Sequence, residues 1–157
     1  MIVVVMGVSG SGKTEIGARL ARRLGHEFIE GDDFHSPGNV AKMRAGTPLV
    51  DADRWPWLQR LNDELKKRRN AVLACSALKQ LYRDALLKDI PASVVVYLRG
   101  SFDLIAARLK SRRHRYMPAS LLESQFATLE PPAGAIEVDV AATVEDCVES
   151  IATRLAR

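Results

Sequence analysis

The chain has only two cysteines, Cys75 and Cys147, in 157 residues. That excludes a disulfide-rich scaffold; both lie in apolar patterns, so two buried free thiols in a reducing cytoplasm are expected rather than a bridge. Long hydrophobic runs are also missing. The longest, residues 2–6, stops at Gly7, far short of the ~20 residues that span a bilayer. It has no basic segment before it, so it is not a secretory signal. As it begins at the second residue, no regulatory extension is expected ahead of it. No repeat, linker or low-complexity stretch interrupts the chain, and a single domain over residues 1–157 is expected. Acidic residues are outnumbered 19 to 23, with a net charge of +4 and a pI near 9.3. This balance favours anionic ligands. The basic residues form no long tract, and neither a nucleic-acid nor a membrane partner is expected. Their densest groups are Lys66-Lys67-Arg68-Arg69 and Arg112-Arg113-His114-Arg115. The first ends a predicted helix, where cations complement the dipole.

What is present is an alternation. Short apolar runs at 2–6, 27–30, 71–75, 93–98 and 136–138 read as strands. Between them, helices are expected at 14–24, 54–69, 79–88, 101–111, from Pro118 onward, and from Thr143 to the end. Ser101 and Thr143 stand as N-caps and Pro118 as a first-turn proline. Continuous apolar strands are buried on both faces. The expected class is therefore α/β, three-layer, with a five-stranded parallel sheet flanked by helices and right-handed crossovers. Ligands in such sheets bind beyond the carboxyl ends of the strands, which directs attention to the residues after each strand.

After the first strand comes Gly7-Val8-Ser9-Gly10-Ser11-Gly12-Lys13-Thr14, which fits G-x-x-x-x-G-K-[ST]. A phosphate chain needs converging backbone N–H donors, and glycines let the loop wrap without side chains in the way. Lys13 brings a cation to the β- and γ-phosphates, Thr14 brings a hydroxyl to Mg²⁺, and the helix N-terminus faces the same anion. ATP is expected in place of GTP because no guanine-reading N-K-x-D occurs.

The second strand runs into Gly31-Asp32-Asp33-Phe34-His35. Phosphoryl transfer to a hydroxyl needs a carboxylate to orient the acceptor and take its proton. Asp32 is assigned that role, shared with a contact to Mg²⁺, with Asp33 the alternative. His35 either donates to substrate oxygens or closes the turn. The third strand ends in Cys75-Ser76-Ala77-Leu78-Lys79 with no acidic residue, so the usual second metal-binding aspartate is missing and the weight falls on Asp32 and Thr14. Ser76 can bond substrate. Lys79 and Arg83, one helical turn apart, are expected to share a face and hold a carboxylate. Of the two tryptophans, Trp57 falls on the stripe of Leu58, Leu61 and Leu65 and is expected in the core or at a dimer contact. Adenine is expected between the lid helix and the loop after the fifth strand, residues 139–142.

These segments, with residues 39–49, Asp51, Asp53, Arg54, Pro56, Trp57, Tyr82-Arg83-Asp84 and Ser124-Gln125-Phe126-Ala127-Thr128-Leu129-Glu130-Pro131, resemble the small P-loop gluconokinases, relatives of shikimate and nucleoside monophosphate kinases. The resemblance covers nearly the whole chain. It implies transfer from ATP to D-gluconate with Mg²⁺, a homodimer, and a mobile lid at about 112–118. It implies that Asp32, His35, Arg54, Ser76, Lys79 and Arg83 line the gluconate side. The family usually carries Gly-His-Phe in the lid, where this chain has His114-Arg115-Tyr116. Arg108, Arg112 and Arg113 are the candidates to bring cations onto ATP and the transferring phosphoryl group. Acceptors such as shikimate, another aldonate, adenylylsulfate or a nucleoside monophosphate are the alternatives within the same chemistry. A binding module that uses ATP as a signal is the alternative outside it.

Overall fold

The computed structural model describes residues 1–111 and 119–157. In chain order its elements are β1 (Ile2–Met6), α1 (Lys13–Leu24), β2 (Glu27–Glu30), a 3₁₀ turn (Gly31–Phe34), α2 (Pro37–Arg44) and α3 (Asp51–Lys66). They continue with β3 (Ala71–Ala74), α4 (Gln80–Leu86), β4 (Ser93–Arg99), α5 (Phe102–Lys110), α6 (Ala119–Thr128), β5 (Ile136–Asp139) and α7 (Val144–Leu155). The strands form one sheet in the order β2-β3-β1-β4-β5, and every neighbouring pair is parallel. The fold class expected from the apolar runs is the one found.

Every residue of β1 is buried because its two faces meet different helices. Ile2, Val4 and Met6 pack with Trp57, Leu58, Leu61 and Leu65 of α3 and with Tyr82 and Leu86 of α4. Val3 and Val5 pack with Ile16, Leu20 and Ala21 of α1 and with Cys147, Val148 and Ile151 of α7. A third cluster lies over the loop after β1. There Val8 meets Leu78, Ile105 and Leu109 of α5, and Leu122 of α6. Both cysteines are free and buried. Trp57 is a core residue at 2% exposure, whereas Trp55 is 37% exposed.

Two elements depart from the sequence reading. α3 begins and ends three residues earlier than expected: Asp51 and Asp53 occupy its first turn, the Asp53 carboxylate accepts from the Val50 N–H at 2.9 Å, and Lys67 is its C-cap, so Arg68 and Arg69 lie beyond it. α2 was not anticipated. Its start signal is present: Ser36 caps it, accepting from the Asn39 N–H at 3.1 Å, and Pro37 occupies the first turn. It carries no apolar stripe, and the one residue it buries is Asn39. The expected lid, with Arg112, Arg113, His114, Arg115 and Tyr116, lies outside the described residues, as does Pro118.

Candidate active site

The loop from Gly7 to Gly12 joins β1 to α1 and turns back through left-handed backbone. Gly10 has φ +82°, and a Cβ there would lie 2.8 Å from the Leu109 side chain. The loop closes on itself: the Ser11 N–H donates to the Val8 carbonyl at 3.2 Å, and Lys13 Nζ donates to the same carbonyl at 3.0 Å. Its tip is clasped from α6. The Ser9 N–H donates to Gln125 Oε1 at 2.7 Å, and Gln125 Nε2 donates to Ser9 Oγ at 3.1 Å.

One cleft brings the two halves of the expected chemistry together. Ser9, Lys13, Asp32, His35, Arg54, Ser76 and Gln125 all line it. Of the two adjacent carboxylates, Asp32 lines this cleft and Asp33 does not. Asp32 is held there by a close backbone approach. A Cβ on Gly31 would lie 2.6 Å from the Ala74 carbonyl oxygen, a contact that real Cβ atoms do not make and a strand backbone cannot yield to. Gly31→Ala is therefore expected to cost about 1–3 kcal/mol of stability and to lower turnover by shifting Asp32. Thermal melts and kcat on the same preparation check both.

His35 lies flat on Trp57, ring centroids 4.0 Å apart at 16°, and the Trp57 indole N–H donates to the Gly31 carbonyl at 2.8 Å. Burial lowers the His35 pKa below its ordinary value. Asp32 opposes that shift, and Arg54 and Arg60 reinforce it. Arg54 is oriented by α4: its Nη1 donates to Tyr82 Oη at 3.0 Å, and its guanidinium lies 4.9 Å over the Tyr82 ring. The Tyr82 hydroxyl in turn donates to Asp51 at 2.5 Å. Braced in this way, and with Asp51 Oδ1 3.7 Å from Nη1, the guanidinium lines the cleft. The Cys75 thiol, just after β3, is pushed up to about 12, by burial first and then by the Asp32 charge. It is no nucleophile at neutral pH.

The other expected site residues fall elsewhere. Thr14 Oγ1 donates to the Glu30 carboxylate, a residue the sequence reading passed over because it reads as the last position of a strand. Glu30 also caps the 3₁₀ turn, accepting from the Asp32 N–H. Arg108 Nη2 donates to the Val140 carbonyl at 2.5 Å, tying α5 to the loop after β5 where adenine is expected. The expectation that Lys79 and Arg83 share one helix face needs correction. Lys79 is the extended N-cap of α4, with its ammonium 5.8 Å from the Tyr82 ring centroid. Arg83 turns inward at 3% exposure, donating to the carbonyls of Ala77 at 2.7 Å and Glu130 at 2.8 Å. Neither lines the cleft, and Arg83 borders a separate groove between α4 and residues 132–135.

Comparison with known proteins fixes the family. Residues 9–126 match the shikimate kinase family. The gluconokinase of Gluconobacter oxydans is 51% identical over 134 residues, covering 83% of this chain and 75% of that one. This chain belongs to the gluconokinase family. The thermosensitive gluconokinase of Escherichia coli is 42% identical, covering 94% of this chain and 86% of its own. The crystal structure of a gluconokinase from Sinorhizobium meliloti superposes with a TM-score of 0.93 at 45% identity, covering 99% of this chain and 91% of that one. Membership of this P-loop kinase family implies the use of ATP.

Proposed function

We infer that this protein transfers the terminal phosphoryl group of ATP to a hydroxyl of D-gluconate, giving ADP and 6-phosphogluconate. The observation that carries the reading is the single cleft in which Lys13 and the phosphate loop face Asp32, His35, Arg54 and Ser76, in a chain whose relatives are gluconokinases. The backbone donors of residues 7–14 cradle the phosphates, with Lys13 as the cation against them. Asp32 orients the acceptor hydroxyl and takes its proton. Arg54 holds the gluconate carboxylate, and Ser76 and His35 bond its hydroxyls. Arg112 of the lid supplies charge to the transferring group, and Arg108 lies beside the adenine. Thr14 and Glu30 offer adjacent hard oxygens, the donor type that suits Mg²⁺, and Asp32 completes that side. When bound, the metal neutralises phosphate charge as it develops.

The chain also acts as a homodimer in this reading. Trp55, edge-on to Tyr82, and the 55%-exposed Leu81 offer apolar surface for the contact. No described helix is long and apolar enough to cross a membrane, and a cytoplasmic site of action fits the two free thiols. The deciding experiment follows ADP release with Mg²⁺-ATP and a panel of gluconate, other aldonates, shikimate, adenylylsulfate and nucleoside monophosphates. Turnover on gluconate far above the rest is expected. Turnover on a different acid would move the substrate, and ADP release no greater than without acceptor would remove the kinase reading.

A further inference from the structure

The donor set around His35 determines which of its ring nitrogens carries the proton. The ring side chain is 3% exposed, and Asn39 is buried at 6% exposure. Asn39 Nδ2 lies 2.9 Å from the Asp53 carbonyl oxygen, a group that can only accept. This fixes which end of the amide faces inward. The same Nδ2 lies 3.2 Å from His35 Nδ1 and has a second hydrogen to donate to it. Nδ1 therefore accepts and carries no proton. In a neutral imidazole the proton then sits on Nε2, the nitrogen that faces Asp32 Oδ1 at 3.8 Å.

We propose that Asn39 is a positioning residue for phosphoryl transfer: it locks His35 as the Nε2–H tautomer, so that the ring presents a donor to the Asp32 carboxylate and aims it at the acceptor hydroxyl. The proposal rests on the assignment of Asp32 to the acceptor side. At 3.8 Å the contact is open, and a small rotation of Asp32, whose side chain is 59% exposed, closes it when substrate fills the cleft. With one carboxylate oxygen held by the ring, the other is left for the substrate proton.

The surroundings agree with this arrangement. Asn39 cannot drift, because its own N–H is bonded to the Ser36 cap at 3.1 Å and its amide is tied to the first turn of α3. Trp57 stacks on the ring from one side. The charges facing His35 are Asp32 from the 3₁₀ turn, and Arg54 and Arg60 from α3. Arg60 donates to the neighbouring Phe34 carbonyl at 2.7 Å. The tautomer itself follows from the Asn39 geometry, since an amide nitrogen can only donate to Nδ1. Asn39 also gives α2, which has no apolar stripe, a buried anchor: its side chain bonds both His35 Nδ1 and the Asp53 carbonyl.

The test is a long-range ¹H–¹⁵N correlation spectrum of the imidazoles at neutral pH. The chain has three histidines, and His35 is assigned by its loss in His35→Gln. The expected result is a protonated Nε2 and a bare Nδ1. Asn39→Asp replaces the donor with an acceptor of the same shape and is expected to move the proton to Nδ1. It should lower kcat with gluconate about 10-fold or more, the usual scale for an orienting partner, with KM for ATP within twofold. In a His35→Gln background the glutamine amide donates to Asp32 without help from Asn39, so adding Asn39→Asp should lower kcat little further. A wild-type ring protonated on Nδ1 overturns the proposal, and this spectrum decides even if the variant fails to fold. A moved proton with unchanged kcat overturns it too. An Asp32→Asn enzyme with wild-type turnover would remove the acceptor-side assignment while leaving the tautomer standing.

Discussion

Asp32→Asn is expected to lower kcat with gluconate by about 10²–10⁴, the range for loss of a positioned general base, with melting temperature unchanged. The two halves of this expectation have different sources. The amide keeps the shape and one acceptor oxygen of the carboxylate, so a gluconate hydroxyl can still be oriented, and KM should move little. What is lost is the capacity to take the proton as the bond to phosphorus forms. Stability should not change, because the side chain is 59% exposed and exposed substitutions away from caps or networks stay within about 0.5 kcal/mol. Asp33→Asn is the matched control: the same chemistry one residue along, outside the cleft, expected within threefold of wild type. Steady-state kinetics of both variants with gluconate and ATP varied separately give the comparison. Equal losses in the two would place the base elsewhere, and a loss in Asp33→Asn alone would exchange their roles.

That choice between neighbours shows where the sequence stops informing. The phosphate loop is legible because its chemistry is local: eight consecutive residues hold the spacing, and a short apolar strand precedes them. The sheet is legible for the same reason, since a strand buried on both faces needs no partner in view to be recognised. Ser101 and Thr143 cap α5 and α7 as read, each accepting from the N–H three residues on. The parts that escaped depend on residues far apart in the chain. Glu30 gains its meaning only when Thr14, sixteen residues earlier, donates to it. Asn39 sits in a helix with no apolar period, so hydropathy says nothing of it, and its partners come from a turn and from α3. Gln125 belonged to a segment recognised only as family-like, and its grip on Ser9 spans 116 positions. In each case the side chain is polar and its role is set by a hydrogen bond across the fold, which no periodicity records.

Arg83 carries the same lesson with a larger consequence. Arg83→Met is expected to destabilise the protein by about 3–5 kcal/mol, since it removes two hydrogen bonds from a charged donor, one buried and one partly buried, each worth about 1.5–3 kcal/mol. For a chain of this size that is a fall of roughly 10 °C or more in melting temperature. One of the two carbonyls belongs to Ala77, which holds φ +44°, a strained backbone immediately after Ser76 that the guanidinium keeps in place. The other belongs to Glu130, whose own N–H donates to the Leu78 carbonyl at 2.7 Å. Arg83 therefore joins the segment after β3 to the residues just beyond α6. Arg54→Met is the counterpart. Its side chain is partly exposed at 18%, it faces the cleft, and its partner Tyr82 keeps Asp51 without it. Its loss should raise KM for gluconate at least tenfold while shifting the melting temperature by only a few degrees. A sequence in which Lys79 and Arg83 form the carboxylate clamp predicts the reverse pattern, with KM rising in Arg83→Met and stability spared. Melting curves and gluconate titrations on the two variants separate the readings, because a guanidinium that holds the fold and one that holds the substrate fail in different measurements.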